Sequence, residues 1–152
     1  MRVELTVNGE RYPLEVPAGR RLSSVLREDI GLVGTKVACG EGACGACAVL
    51  LDGKPVNSCL LLAVAADGRA VETIEGLSAE GLTQLQQAFV SEDALQCGFC
   101  TSGQIVTATA LLRDTPRPSR EEIRAAMSGN LCRCGAYPKI ERAILRAAGG
   151  GG

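Results

Sequence analysis

The chain contains no histidine and no tryptophan, and only 3% of its 152 residues are aromatic. Without imidazole it cannot build a Cys/His zinc finger, a His-ligated haem, a Rieske centre, or a Ser-His or Cys-His hydrolase. With so few rings, each residue buries little area, and small domains of this kind often need a further staple. Charge of one sign is also missing: 16 basic residues face 17 acidic ones, a net charge of -1. That balance offers no basic footprint for nucleic acid. No run of 18 apolar residues occurs, so no membrane span is expected. The opening "MRVELTVNGERYPLEV" alternates polar and apolar residues and lacks a signal-peptide core. These absences describe a soluble, cytoplasmic chain.

What the chain does have is eight cysteines. In a cytoplasmic chain such a count points to metal or redox chemistry before disulfides. With histidine absent, sulfur is the expected ligand.

The first half reads as strands around one helix. Val3, Leu5 and Val7 alternate, Asn8-Gly9 turns, and Tyr12, Leu14 and Val16 resume the period of two. Leu22, Val25, Leu26 and Ile30 recur at helical spacing, and Gly31 stops them. "AVLLDGKPV" predicts a second hairpin about Asp52-Gly53, and "AVETI" a further strand. A mixed sheet clasping one helix is a β-grasp-like arrangement. From about Leu77 the pattern turns helical. Leu82, Leu85 and Phe89 share one face, as do Ile105, Thr109 and Leu112. "TPRP" breaks the chain, and Ser119 with Glu122 forms a capping box for a third helix lined by Ile123, Ala126 and Met127. Pro138 suits the first turn of a fourth, with Ile140, Ile144 and Ala147 inward. The expected class is α+β: a β-grasp domain over residues 1–76, a helical domain over 77–148, and a disordered glycine tail at 149–152.

The cysteines divide four and four across that boundary. Cys39, Cys44, Cys47 and Cys59 follow C-x4-C-x2-C with a distant fourth, the plant-type [2Fe-2S] spacing. A two-iron core needs two thiolates on each iron. A folded loop can supply three, and the strand residue Cys59 the last. Gly40, Gly42 and Gly45 fit the same reading. An oxidised cluster with its thiolates carries a charge of about -2, so backbone N–H groups must approach the sulfurs closely. Small residues that tolerate positive φ permit that approach. Lys36 and Arg133 lie near ligands in sequence, either to offset charge or as solvated bases.

Cys97, Cys100, Cys132 and Cys134 form the second quartet, C-x2-C and C-x-C. Each pair precedes a predicted helix, so two helix N-termini could converge on one anionic cluster. Other readings fare worse. Gly40 to Gly45 spells G-x-G-x-x-G, with Asp67 downstream, but a dinucleotide fingerprint needs a helix directly after it and "ACAVLLDG" is β-like. Zinc sites favour paired C-x2-C knuckles. Adjacent C-x-C and C-x2-C cysteines also bond poorly to one another.

"GTKVACGEGACGACAVLLDG", "LQCGFCTSGQI" and "SGNLCRCGAYPKI", in this order, resemble the iron–sulfur subunit of the molybdenum hydroxylases, the xanthine dehydrogenase, aldehyde oxidoreductase and carbon monoxide dehydrogenase family. The resemblance covers roughly residues 2 to 148. It implies a plant-type ferredoxin domain followed by a four-helix bundle carrying the second cluster. It also implies a large molybdopterin-binding subunit, a medium FAD-binding subunit, and a heterotrimer or a dimer of heterotrimers. Electrons would pass from the molybdopterin site through the helical-domain cluster and then the ferredoxin-domain cluster to FAD. No substrate chemistry would fall on this chain. Gln96 matches a family glutamine that reaches the pterin, and Cys134 sits where the cluster approaches it. Tyr137 matches an aromatic expected to serve packing. One departure stands out: many relatives read Cys-Arg-Cys-Thr-Gly-Tyr, and here the sequence is Cys-Arg-Cys-Gly-Ala-Tyr. A free-standing two-cluster ferredoxin shuttle is the alternative function.

Overall fold

The structure, a computed structural model, describes residues 1–149. β1 (Arg2–Val7) and β2 (Glu10–Glu15) pair antiparallel, with Val3 opposite Leu14. Asn8 and Gly9 both take positive φ, +52° and +84°, which matches the twist of a two-residue hairpin. β3 (Ala48–Leu51) and β4 (Lys54–Asn57) form the second hairpin, where Asp52 and Gly53 do the same at +49° and +81°. β5 (Ala70–Glu72) runs parallel to β1 and antiparallel to β3, giving the order β2-β1-β5-β3-β4.

The segment expected as one helix from Leu22 is wound in two ways. α1 (Leu22–Ser24) is a single α turn, and Val25–Asp29 continues as a π turn in which the Ile30 N–H reaches the Val25 carbonyl at 3.0 Å. The inner face is the one the spacing indicates, with Leu22, Val25 and Leu26 fully buried.

The short α2 (Ile74–Leu77) leads into the second half. There α3 (Gln84–Ser91), α4 (Thr101–Asp114), α5 (Arg120–Met127) and α6 (Tyr137–Ala147) pack around Phe89, Val106, Ile123 and Ile144. Thr83 and Gln86 close a capping box on α3, and Ser119 and Glu122 close the predicted one on α5. Two expected inward residues face out. Leu82 precedes the Thr83 cap and is exposed, and Ala126 falls on the outer face of α5. Apart from Gly149, the expected glycine tail lies outside the described residues. Among the described residues, no helix is long and apolar enough to cross a membrane.

β3 joins the halves. All four of its residues are buried. Val49 and Leu51 enter the core beneath the sheet with Leu5, Val7 and Leu26, while Ala48 and Leu50 enter the helical core. Period-two alternation therefore places one strand in two cores at once.

Candidate metal centres

The first quartet is built on a loop and a strand end. Cys39, Cys44 and Cys47 lie on the coil before β3, and Cys59 just past β4. The Cys39 thiol is held beside Cys44, and Cys47 beside Cys59. Cys47 and Cys59 are buried, whereas Cys39 and Cys44 are half-buried. The two environments act in opposite directions. The Glu41 N–H, 3.5 Å from the Cys39 sulfur, and that of Cys44 pull the Cys39 pKa down to about 6. Burial pushes Cys47 up to about 11.

Several contacts fix this loop. Arg21 donates to the Gly40 carbonyl at 2.9 Å and also to the Cys59 carbonyl, tying the cysteine loop to the strand-end ligand. The buried Ser58 hydroxyl donates to the Cys47 carbonyl at 2.7 Å, and Asn57 Nδ2 to the Gly42 carbonyl at 3.1 Å. Gly40, Gly42 and Gly45 all have positive φ. At Gly45 a second constraint operates: a Cβ there would strike the Gly129 carbonyl and lie 2.7 Å from Asn130 Nδ2. Lys36 is spent on the Val33 carbonyl at 2.7 Å, and Arg133 is exposed.

The second quartet sits at two helix starts. Cys100 is the N-cap of α4, and Cys132 and Cys134 precede α6, whose N-cap is Ala136. Cys100 and Cys132 face each other. Burial, then Cys132, pushes Cys100 up to about 12. At Cys132 burial raises the pKa, but N–H groups led by Ala136, 3.4 Å from the sulfur, outweigh it and the net shift is downward. Cys97 and Cys134 are exposed, and the Phe99 N–H lies 3.5 Å from the Cys97 sulfur. Gly135 takes φ +76°, so the displaced glycine falls where the backbone favours one. Tyr137 does more than pack: its hydroxyl oxygen accepts the Cys132 N–H at 2.7 Å.

None of the eight cysteines is paired in a disulfide. Among the described residues, no three Cys, Asp or Glu side chains gather as a site for a single ion. The close contacts are pairs, Cys39 with Cys44, Cys47 with Cys59, and Cys100 with Cys132. Two thiolates on each iron are what a two-iron core requires. Sulfur-only donors and N–H groups aimed at sulfur fit two [2Fe-2S] groups. The glycine-rich stretch leads into a strand, and Asp67 is occupied by the Glu4 N–H at 2.7 Å, so the dinucleotide fingerprint has no helix and no free acid.

Gln96 is exposed beside Cys97, in a cleft of about 260 Å³ that it shares with Cys134, Lys139 and Arg142. Sequence reasoning missed Arg21, Gln104 and Asn130. Gln104 and Asn130 carry a signal, as amides at otherwise apolar helix spacing and two residues before Cys132. Arg21 carries none.

Two family models match the chain: "2Fe-2S iron-sulfur cluster binding domain" over residues 5–76 and "[2Fe-2S] binding domain" over residues 73–145. The nicotine 6-hydroxylase small subunit of Paenarthrobacter nicotinovorans is 48% identical, spanning 98% of this chain and 90% of that protein. The structure of quinoline 2-oxidoreductase from Pseudomonas putida 86 superposes with a TM-score of 0.93 at 50% identity, over 97% of this chain and 92% of that one. Aldehyde oxidoreductase from Desulfovibrio gigas superposes at 0.92 with 44% identity, over 97% of this chain but 17% of that one.

Proposed function

This chain belongs to the small [2Fe-2S] subunits of the molybdenum hydroxylases, the xanthine dehydrogenase and aldehyde oxidoreductase family, and on that footing we propose that it relays electrons from a molybdopterin site on a large subunit to FAD on a medium subunit. It is a two-[2Fe-2S] electron-transfer subunit of an oxidoreductase complex. The carrying observation is the arrangement of both quartets as a sheltered and an outward pair of thiols. When bound, each [2Fe-2S] group takes up and gives off one electron at a time.

The chain's residues divide the work. Cys39, Cys44, Cys47 and Cys59 would hold the first [2Fe-2S] group, with the less buried Cys39 and Cys44 toward the flavin subunit. Cys97, Cys100, Cys132 and Cys134 would hold the second, with exposed Cys97 and Cys134 outward. Gln96, sharing the cleft with exposed Cys134, is placed to donate to the pterin of the large subunit. Gly40, Gly42 and Gly45 let the first loop close over its group. The boundary between the cluster domains is placed at residues 76/77, supported by family matches that meet between residues 73 and 76. The assembly is a heterotrimer or a dimer of heterotrimers.

Iron, acid-labile sulfide and electron paramagnetic resonance measurements on the reduced chain test the reading. Two distinct signals are expected, and Cys132→Ser should remove or alter one while sparing the other. Purification from the native source should yield molybdenum and flavin with this chain. A lone two-cluster polypeptide would instead mark a diffusing shuttle.

A further inference from the structure

Two hydrogen-bonded links connect the quartets, the second of them buried. In the first, the Leu131 N–H donates to the Cys44 carbonyl at 2.8 Å. Cys44 belongs to the first quartet and Leu131 adjoins Cys132 of the second, so one hydrogen bond and one residue separate the two ligands. In the second, Asn130 Nδ2 donates to the Gly45 carbonyl at 3.1 Å, and Gln104 Nε2 donates to the Asn130 carbonyl at 3.1 Å. Both side chains are almost wholly buried, Gln104 at 1% and Asn130 at 5% exposure.

The backbone is drawn tight around these links. A Cβ on Gly103 would collide with the Gly45 carbonyl and lie 3.1 Å from the Ala46 Cα. The loop Cys44–Ala46 is therefore wedged between the first turn of α4 and the segment before Cys132. A buried amide costs desolvation unless it is partnered, and here both side chains spend an N–H on a backbone carbonyl of the seam. These bonds fix the spacing of the two ligand-bearing segments as well as satisfying their carbonyls.

We propose that Gln104 and Asn130 are positioning residues for electron exchange between the two quartets. Resting on the two-cluster reading above, Asn130 holds the 129–131 segment on the first loop so that the Leu131–Cys44 bond stays closed. Gln104 anchors Asn130 from behind through its donor bond to the Asn130 carbonyl. In the exchange one electron leaves the second site and arrives at the first. The second is oxidised, the first is reduced, and no proton or bond changes hands.

The test uses the full chain with both sites loaded, as wild type, Asn130→Asp and Gln104→Met. Asn130→Asp keeps the shape and removes the donor to Gly45. Its iron and sulfide content should match wild type, the magnetic splitting between the two reduced signals should change, and exchange after flash reduction should slow roughly tenfold, the scale of lost outer-shell contacts. Gln104→Met removes the donor to the Asn130 carbonyl and should change the splitting and slow the exchange in the same direction, with iron and sulfide content unchanged. Unchanged splitting and rate in fully loaded variants would overturn the inference. So would loss of either cluster from both variants, which would make the pair a folding staple. A wild-type chain without iron or sulfide would instead defeat the two-cluster reading itself.

Discussion

Gly103 shows how a residue's identity can be set by another part of the chain. It lies in the first turn of α4 with ordinary helical backbone, where alanine normally stabilises by about 1 kcal/mol. Here the added methyl would meet the Gly45 carbonyl and the Ala46 backbone, neither of which can swing aside. Gly103→Ala is therefore expected to destabilise by about 1–3 kcal/mol, as overpacking does, and chemical denaturation will read the sign directly. Gly45 belongs to the same contact. The sequence marks it as a loop glycine beside cysteines, and its positive φ agrees with that role. Its crowding by Gly129 and Asn130, some 85 positions away, has no local signature, because a glycine required by φ and one required by a distant carbonyl look alike in sequence.

Among the elements, α5 and α6 are joined by a carboxylate shared between two guanidinium groups. Glu141 accepts from Arg124 Nε at 2.7 Å and from Arg120. Hydrogen bonding by Arg124, opposed by burial and aided by Arg120, holds the Glu141 carboxyl below its ordinary value. A carboxylate whose pKa falls on folding stabilises fully above its unfolded value and loses that contribution as pH drops through the folded one. Glu141→Gln should therefore lower the melting temperature at neutral pH. Both arginines are mostly exposed, so the cost is about 1 kcal/mol, roughly two to four degrees for a chain of this size. The gap between variant and wild type should close below about pH 4. A difference that persists at low pH would assign the effect to packing. The helices themselves were legible from the sequence. Ser119 with Glu122 and the run Ile123, Met127 mark α5 because capping and period are local. The π winding after Ser24 was not legible, since Leu22, Val25 and Leu26 face inward on either winding.

On the scale of the whole molecule, the cysteine quartets are readable because ligand spacing is written along the chain, and the seam between the halves is not, because it is tertiary. "AVLL" reads as a buried strand, yet nothing in it tells that Leu50 and Val49 enter different cores. Arg113 of α4 also reaches Glu72 of β5 at 2.7 and 3.0 Å, bridging the halves at the surface. Calorimetry of the loaded chain should accordingly show one cooperative transition, and two resolved transitions would contradict the shared strand. The same strand limits how the gene can be cut. A fragment ending before α2 would present Ala48 and Leu50 to water along a sheet face made to be covered. Such a piece would be sticky and self-associating, whatever iron it carried. The two halves resemble separate modules in their motifs, but they are packed as one object.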